Sequence, residues 1–390
     1  MKIQARHFET QEAIEVKIEG ELIHSILPVA CSAQERDELP FISPGFFDIQ
    51  VNGYNGIWFS SPELTVEDVV ATIRSLASQG IARCFPTLIT ASFEVLRHGF
   101  ETLEKACAQD ETVARCVAGY HLEGPYISSE DGPRGAHPIQ HVRPACWEEF
   151  QKLQAAAGGR IRLVTLAAEC ENAGPFIRKC CSADVVVALG HTGASSEQIL
   201  AAADAGARLS THFGNGAHGT LPRHPNYLWA QLADDRLWAS VIADGWHVPD
   251  AVLQCVARCK SLNRTILTCD VSGYAGCKPG VYAEGDVGVE VLEDGRLVVA
   301  GQRQYLAGSG VTTGHCIAKM RRACGISLLS AVQMATLNPS VLVNEPLVEL
   351  KEGRPATLTA FHLHKGAGAA VEQFVPVRTF VRGEIVGCGP

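Results

Sequence analysis

Eight short apolar or β-branched runs recur along the middle of the chain, each closing in a polar or glycine-containing turn. They cover residues 45–52, 82–90, 117–123, 161–167, 185–191, 208–212, 238–244 and 265–270. None alternates cleanly between apolar and polar positions, which suits strands buried on both faces of a parallel sheet. Between most of them lie stretches with helical spacing: 61–80, 91–109, 146–157, 195–205 and 249–259. The first opens Ser61-Pro62-Glu63, with more acidic residues in the turns that follow, as helix N-termini prefer. Eight strand–helix units over this length predict a (β/α)₈ TIM barrel, an α/β fold; a doubly wound open sheet is the structural alternative.

The two ends read differently. Residues 1–43 and 345–390 are short alternating strands with turns, as in IEVKIEGELIHSI and PVRTFVRGEIVG. Neither is long enough to build its own core, so the two are expected to meet as a small β-sandwich flanking a barrel of residues 44–344.

Composition removes several function classes. The chain has 390 residues, 46 % hydrophobic and 19 % charged, enough apolar surface for a full core and too little charge for a disordered chain. Its formal charge is −9 and no basic block stands out, so nucleic-acid or anionic-membrane binding is not expected. No apolar run is long enough to span a bilayer, and the first twenty residues carry no signal-peptide core. A cytoplasmic protein is therefore expected. The fifteen cysteines include no CxxC pair, and in a reducing compartment they read mostly as small buried hydrophobes.

Function in such barrels gathers at the C-terminal ends of the strands. Here the third ends His121-Leu122-Glu123, the fifth Gly190-His191, the sixth Thr211-His212, the seventh Asp244-Gly245-Trp246-His247 and the eighth Cys269-Asp270. A Glu and two His on neighbouring strand ends make a three-ligand site with an open position, as a catalytic Zn²⁺ requires: Glu123, His191 and His212. Asp270 suits a general base that takes a proton from water and passes it to a leaving amine. His247 suits polarising a carbonyl or steadying an oxyanion. His121, two residues back on the same strand as Glu123, reads as a packed support rather than a ligand.

The stretches SPGFFDIQVNGYNG, FPTLITAS, GYHLEGPYIS, GHTGAS, THFGNG, IADGWHV, MATLNPS and GRPATLTAF run in order from Ser43 to Phe361. On these the chain resembles the N-acetylglucosamine-6-phosphate deacetylase family of the amidohydrolase superfamily. The resemblance implies metal ligands at Glu123, His191 and His212, a catalytic aspartate at Asp270 and a carbonyl-binding histidine at His247. It also implies substrate contacts at His137, the Asn215-Gly216 turn and Arg223, the last as a bidentate partner for phosphate. Many amidohydrolases hold two metals through His-x-His on the first strand and a lysine on the fourth. This chain has Gln50-x-Asn52 and no lysine in IRLVTLAAE, so a single divalent metal, Zn²⁺, is expected, with Gln50 as its neighbour.

The implied reaction removes acetyl from N-acetylglucosamine 6-phosphate, a small amino sugar phosphate, in a homodimer or higher homo-oligomer. Two rivals stay open at this stage. One is the same chemistry on N-acetylgalactosamine 6-phosphate or an unphosphorylated acylamino compound, since Phe213-Gly214 and His218 depart from the family pattern. The other is a non-catalytic sugar-phosphate binder.

Overall fold

The computed structural model describes residues 1–284, 287–365 and 372–389. At its centre stand eight parallel strands in chain order around a barrel: β1 (Phe46–Val51), β2 (Ile81–Ile89), β3 (Tyr120–Glu123), β4 (Ile161–Leu166), β5 (Val186–Leu189), β6 (Leu209–Ser210), β7 (Trp238–Val241) and β8 (Thr265–Leu267). Each overlaps one of the eight expected runs, several of the ladders being two or three residues shorter than the run. The interior is plugged by Phe47, Ile49, Phe85, Leu163, Ala188, Leu209 and Ile266, with Phe47 edge-on to Phe85 at 5.2 Å. Every residue of β1 is buried, which is why its sequence shows no alternation.

The seam between β1 and β8 is not a continuous ladder. A bridge pairs Val51 with Val271, and a buried carboxylate does the rest. Asp48 of β1 accepts from Thr268 Oγ1 at 2.6 Å, Cys269 N at 2.8 Å, Thr313 Oγ1 at 2.6 Å and its own strand's Gln50 N at 3.0 Å. Four donors suit one buried anion. This also fixes the chain immediately before Asp270.

Four of the five expected helices lie within two residues of their expected bounds: Phe93–Gln109, Trp147–Ala156, Ser196–Asp204 and Asp250–Cys259. The fifth begins later than its Ser-Pro opening suggested. Val66–Ser78 starts after Thr65, whose hydroxyl accepts from Asp68 N while the Asp68 carboxylate accepts from Thr65 N. That reciprocal cap ends the preceding turn and sets the helix start.

The two ends of the chain meet. Phe41–Pro44 pairs in parallel with Lys2–His7 on one side and antiparallel with Leu358–Lys365 on the other, joining both ends in one seven-stranded sheet. Its own side chains, including Ile14, Val16, Ile18, Ile42, Leu358 and Phe380, form a buried cluster. A second sheet has no counterpart in the sequence reading. After β8, Gly280–Glu284, Val287–Val291, Leu297–Val299 and Gln302–Leu306 form four antiparallel strands beside the C-terminal rim. Of the fifteen cysteines, all unpaired, five are buried, among them Cys84 and Cys269. Cys255 and Cys259 are exposed instead, because they lie on the outer side of the helix Asp250–Cys259. No helix of the described residues is long and apolar enough to cross a membrane.

Candidate active site

The C-terminal rim brings Glu123, His191 and His212 together. Glu123 Oε1 lies 2.9 Å from His212 Nε2 and 3.2 Å from His191 Nε2, and the two imidazole nitrogens are 3.1 Å apart. Three corners of a tetrahedron around an ion about 2.0 Å away would be about 3.3 Å apart, so these donors fit a divalent metal with almost no rearrangement. All three residues are buried. His191 Nδ1 is bound to the Pro133 carbonyl at 2.9 Å, which leaves its Nε2 as the edge turned toward Glu123. Burial alone would raise the Glu123 carboxyl, but the hydrogen bonds from His191 and His212 outweigh it and hold the group well below its usual range.

The backbone at this rim is unusual. His191, His212 and Asp270 have φ of 50°, 27° and 49°, in a region that side chains with a Cβ seldom adopt. Each sits just past the end of its strand, where the chain turns sharply to aim the side chain over the barrel mouth. Gly216 shows the crowding. Its φ is +55°, and a Cβ there would meet His191 Nδ1 at 2.7 Å, so only glycine fits above the ligand ring.

Asp270 faces the triad without joining it. Its Oδ1 accepts from Asn52 Nδ2 at 2.8 Å and Gln50 Nε2 at 3.0 Å, and the same Gln50 nitrogen donates to Glu123 Oε1 at 2.9 Å. One amide therefore bridges the two carboxylates. Burial and the nearby charge of Glu123 push the Asp270 carboxyl up to about 6. That suits a group that takes and returns a proton near neutral pH. The Gln50 and Asn52 contacts were not anticipated as supports of Asp270, because they join positions some 220 residues apart.

His137 and His121 are both held neutral. His137 binds Thr90 Oγ1 through Nδ1 at 2.8 Å and stacks edge-on over His191; burial and then the His191 charge lower it to about 3. His121 binds Thr165 Oγ1 at 2.8 Å beneath the triad and is lowered, chiefly by burial, to about 4. It is a support and not part of the donor cluster.

Above these residues opens a cavity of about 810 Å³. His137, Asn215, Gly216, His247 and Asp270 line it together with the triad. Trp58, Tyr274 and Tyr305 supply an aromatic wall, the last from the unanticipated four-stranded sheet. Among the described residues no lysine or arginine lines the cavity. Arg223, assigned to the substrate phosphate by resemblance, is placed differently: it lies exposed on the 219–226 loop, off the cavity wall. Past Gly219, which lines the cavity, the loop leaves the cavity wall and leads into helix Tyr227–Ala233, and His218 is tied down by Glu130 and Tyr227.

A barrel with an acid–imidazole donor cluster at its C-terminal rim defines a metal-dependent hydrolase class, and the comparisons agree. Residues 41–386 match the amidohydrolase family model, and the chain belongs to that family. It is 31 % identical over 364 residues to N-acetylgalactosamine-6-phosphate deacetylase of Escherichia coli O157:H7, covering 92 % of this chain and 94 % of that one. It is 32 % identical over 358 residues to N-acetylglucosamine-6-phosphate deacetylase of Bos taurus, covering 88 % and 83 %. Among solved structures, an N-acetyl-D-glucosamine-6-phosphate deacetylase mutant from Mycobacterium smegmatis, in complex with N-acetyl-D-glucosamine-6-phosphate, superimposes with a TM-score of 0.83. That match has 26 % identity and covers 99 % of both chains.

Proposed function

We propose that this chain is a metal-dependent hydrolase that converts N-acetylglucosamine 6-phosphate and water into glucosamine 6-phosphate and acetate. The observation that carries the reading is the buried triad Glu123, His191 and His212 with Asp270 facing it across the Gln50 bridge. The family relationship and the similarity to deacetylases of amino sugar phosphates support the substrate class.

Glu123, His191 and His212 would hold one divalent ion, which we take to be Zn²⁺. When bound, such an ion supplies Lewis-acid polarisation of an amide oxygen and makes water easier to deprotonate. Asp270, ionised at the start, accepts a proton from the attacking water. His247 donates a hydrogen bond to the acetamide oxygen as negative charge develops there. Protonated Asp270 then delivers its proton to the departing amine, which restores the carboxylate. His137, neutral and fixed by Thr90, and the Asn215-Gly216 turn hold the sugar phosphate. Within one chain the phosphate meets this turn rather than the Arg223 guanidinium.

The catalytic unit is residues 44–344, with 1–43 and 345–390 as its flanking domain. The fifteen unpaired cysteines favour a reducing, cytoplasmic setting. Exposed Trp229 and Leu200, on adjacent packed helices, favour a homo-oligomer.

The test is acetate release by the zinc-loaded protein from N-acetylglucosamine 6-phosphate, its unphosphorylated form and the galacto epimer. The first should give the highest kcat/KM. Higher turnover of another compound would reassign the cavity while keeping the chemistry, and no acetate from any of them would overturn the reading.

A further inference from the structure

His247 lines the cavity, but nothing in the reaction as described uses the acid three residues before it. The Asp244 side chain is 3 % exposed and both of its oxygens are engaged within one turn. Oδ1 accepts from Trp246 N at 2.8 Å and His247 N at 2.9 Å, and Oδ2 faces His247 Nδ1 at 2.7 Å. The two backbone bonds anchor the carboxylate to the same turn that carries the imidazole. Ring and acceptor are therefore held as one rigid unit, and the ring itself is only 6 % exposed.

The chemistry follows from the partners. Burial would raise the Asp244 carboxyl, but the His247 ring and the two N–H groups outweigh it, so the group is held below its usual range and is ionised. An ionised carboxylate only accepts, so the hydrogen between the pair sits on Nδ1. The opposite ring edge, Nε2, is then the one left for the cavity. With Nδ1 already protonated, Nε2 can donate to a substrate oxygen only when the ring carries both hydrogens and a positive charge. Other charges lie near this turn: Asp270, whose carboxyl His247 in turn lowers, the Lys319 ammonium against Gly245 and the Arg296 guanidinium over the Trp246 ring. A negative partner on Nδ1 stabilises the charged ring that carbonyl polarisation requires.

We propose that Asp244 is a positioning residue: it fixes the tautomer and direction of His247 and supplies the counter-charge for its imidazolium while the amide oxygen is polarised. The inference rests on the reading of His247 as the carbonyl partner. The two can fail separately.

The experiment compares zinc-loaded wild type, Asp244→Ala, Asp244→Asn, His247→Ala and the Asp244→Ala/His247→Ala double variant in acetate release. Asp244→Ala should lower kcat roughly 10- to 100-fold, a large part of what one oxyanion donor is worth, with KM moving less than about 3-fold. Asp244→Asn should not recover that loss: its oxygen stays on the Trp246 and His247 N–H groups, which turns its NH2 toward Nδ1 and enforces the opposite tautomer. In the His247→Ala background, removal of Asp244 should cost less than about 2-fold, since the residue acts through the ring. A far-downfield Nδ1–H proton resonance in ¹⁵N-histidine-labelled wild type should vanish in Asp244→Ala and in His247→Ala. Equal kcat losses from Asp244→Ala in both backgrounds, or a missing resonance in folded wild type, would overturn the proposal. A His247→Ala variant with undiminished kcat would overturn the underlying reading of His247 instead, whatever the resonance shows.

Discussion

Asn52 offers a clean perturbation of the proposed base. Its amide donates to Asp270 Oδ1 at 2.8 Å, and this bond is one of the influences that lower a carboxyl otherwise raised by burial and by Glu123. Its Oδ1 is buried without a hydrogen-bond partner among the described residues, so Asn52→Leu strands no partner acceptor or donor except the one on Asp270. A hydrogen bond to a buried charge is worth about 1.5–3 kcal/mol, and about 1.4 kcal/mol corresponds to one pKa unit. Losing it disfavours the ionised form, so the Asp270 carboxyl should rise by about 1–2 units. The base must be ionised to act, and it is protonated as pH falls. The acidic limb of kcat should therefore move to higher pH by about 1–2 units, with the alkaline limb unmoved. The assay is the kcat–pH profile of acetate release for wild type and Asn52→Leu, both saturated with zinc, so that the ion's own field cancels in the comparison. An acidic limb displaced by less than about 0.3 unit, or displaced to lower pH, would refute the assignment of that limb to Asp270.

Three further outcomes follow from named contacts. Glu123→Gln should lower bound metal well below one ion per chain in elemental analysis, because a neutral amide replaces the only anionic donor among the three. Gly216→Ala should weaken zinc affinity in a chelator competition while the chain stays folded, since its Cβ would press on the His191 ring and the residue would be held at positive φ. Asp48→Ala should cost at least about 2 kcal/mol in urea unfolding, because it leaves Thr268, Thr313 and the Cys269 N–H without their shared acceptor. It should also lower kcat, as the freed segment carries Asp270.

Much of the fold could be read from the chain because a barrel strand buried on both faces is an uninterrupted apolar run. The β1 segment, FFDIQV, is such a run broken only by Asp48, the seam clamp, and Gln50, the bridge between the two carboxylates. The ends of the strands were less legible. The sixth run was expected over 208–212, yet the ladder holds only Leu209–Ser210, because the chain must leave the sheet to bring His212 into its positive-φ turn. The four-stranded sheet over 280–306 did leave a signal, since alternating VGVEV and LVV flank an Asp294-Gly295 turn, but its short strands fall outside the strand–helix repeat.

At the site, strand-end position pointed to Glu123, His191, His212 and Asp270 because each chemistry-bearing residue follows an apolar run. The supports were not legible in the same way. Gln50 and Asn52 reach Asp270, and Pro133 reaches His191, across sequence separations that only the closed barrel brings into contact. Asp244 was visible beside His247 in the motif, but its bond to Nδ1 depends on the turn geometry. Arg223 shows the converse: a motif match located the loop, but the loop leaves this residue exposed and off the cavity wall.

The most direct test of the account is Asp270→Asn assayed for bound zinc and for acetate release from N-acetylglucosamine 6-phosphate. The variant should keep about one ion per chain, because Asp270 lies outside the donor triad, and lose roughly 10²- to 10⁴-fold in kcat. Near-normal turnover with zinc in place would contradict the central claim that this carboxylate moves the proton.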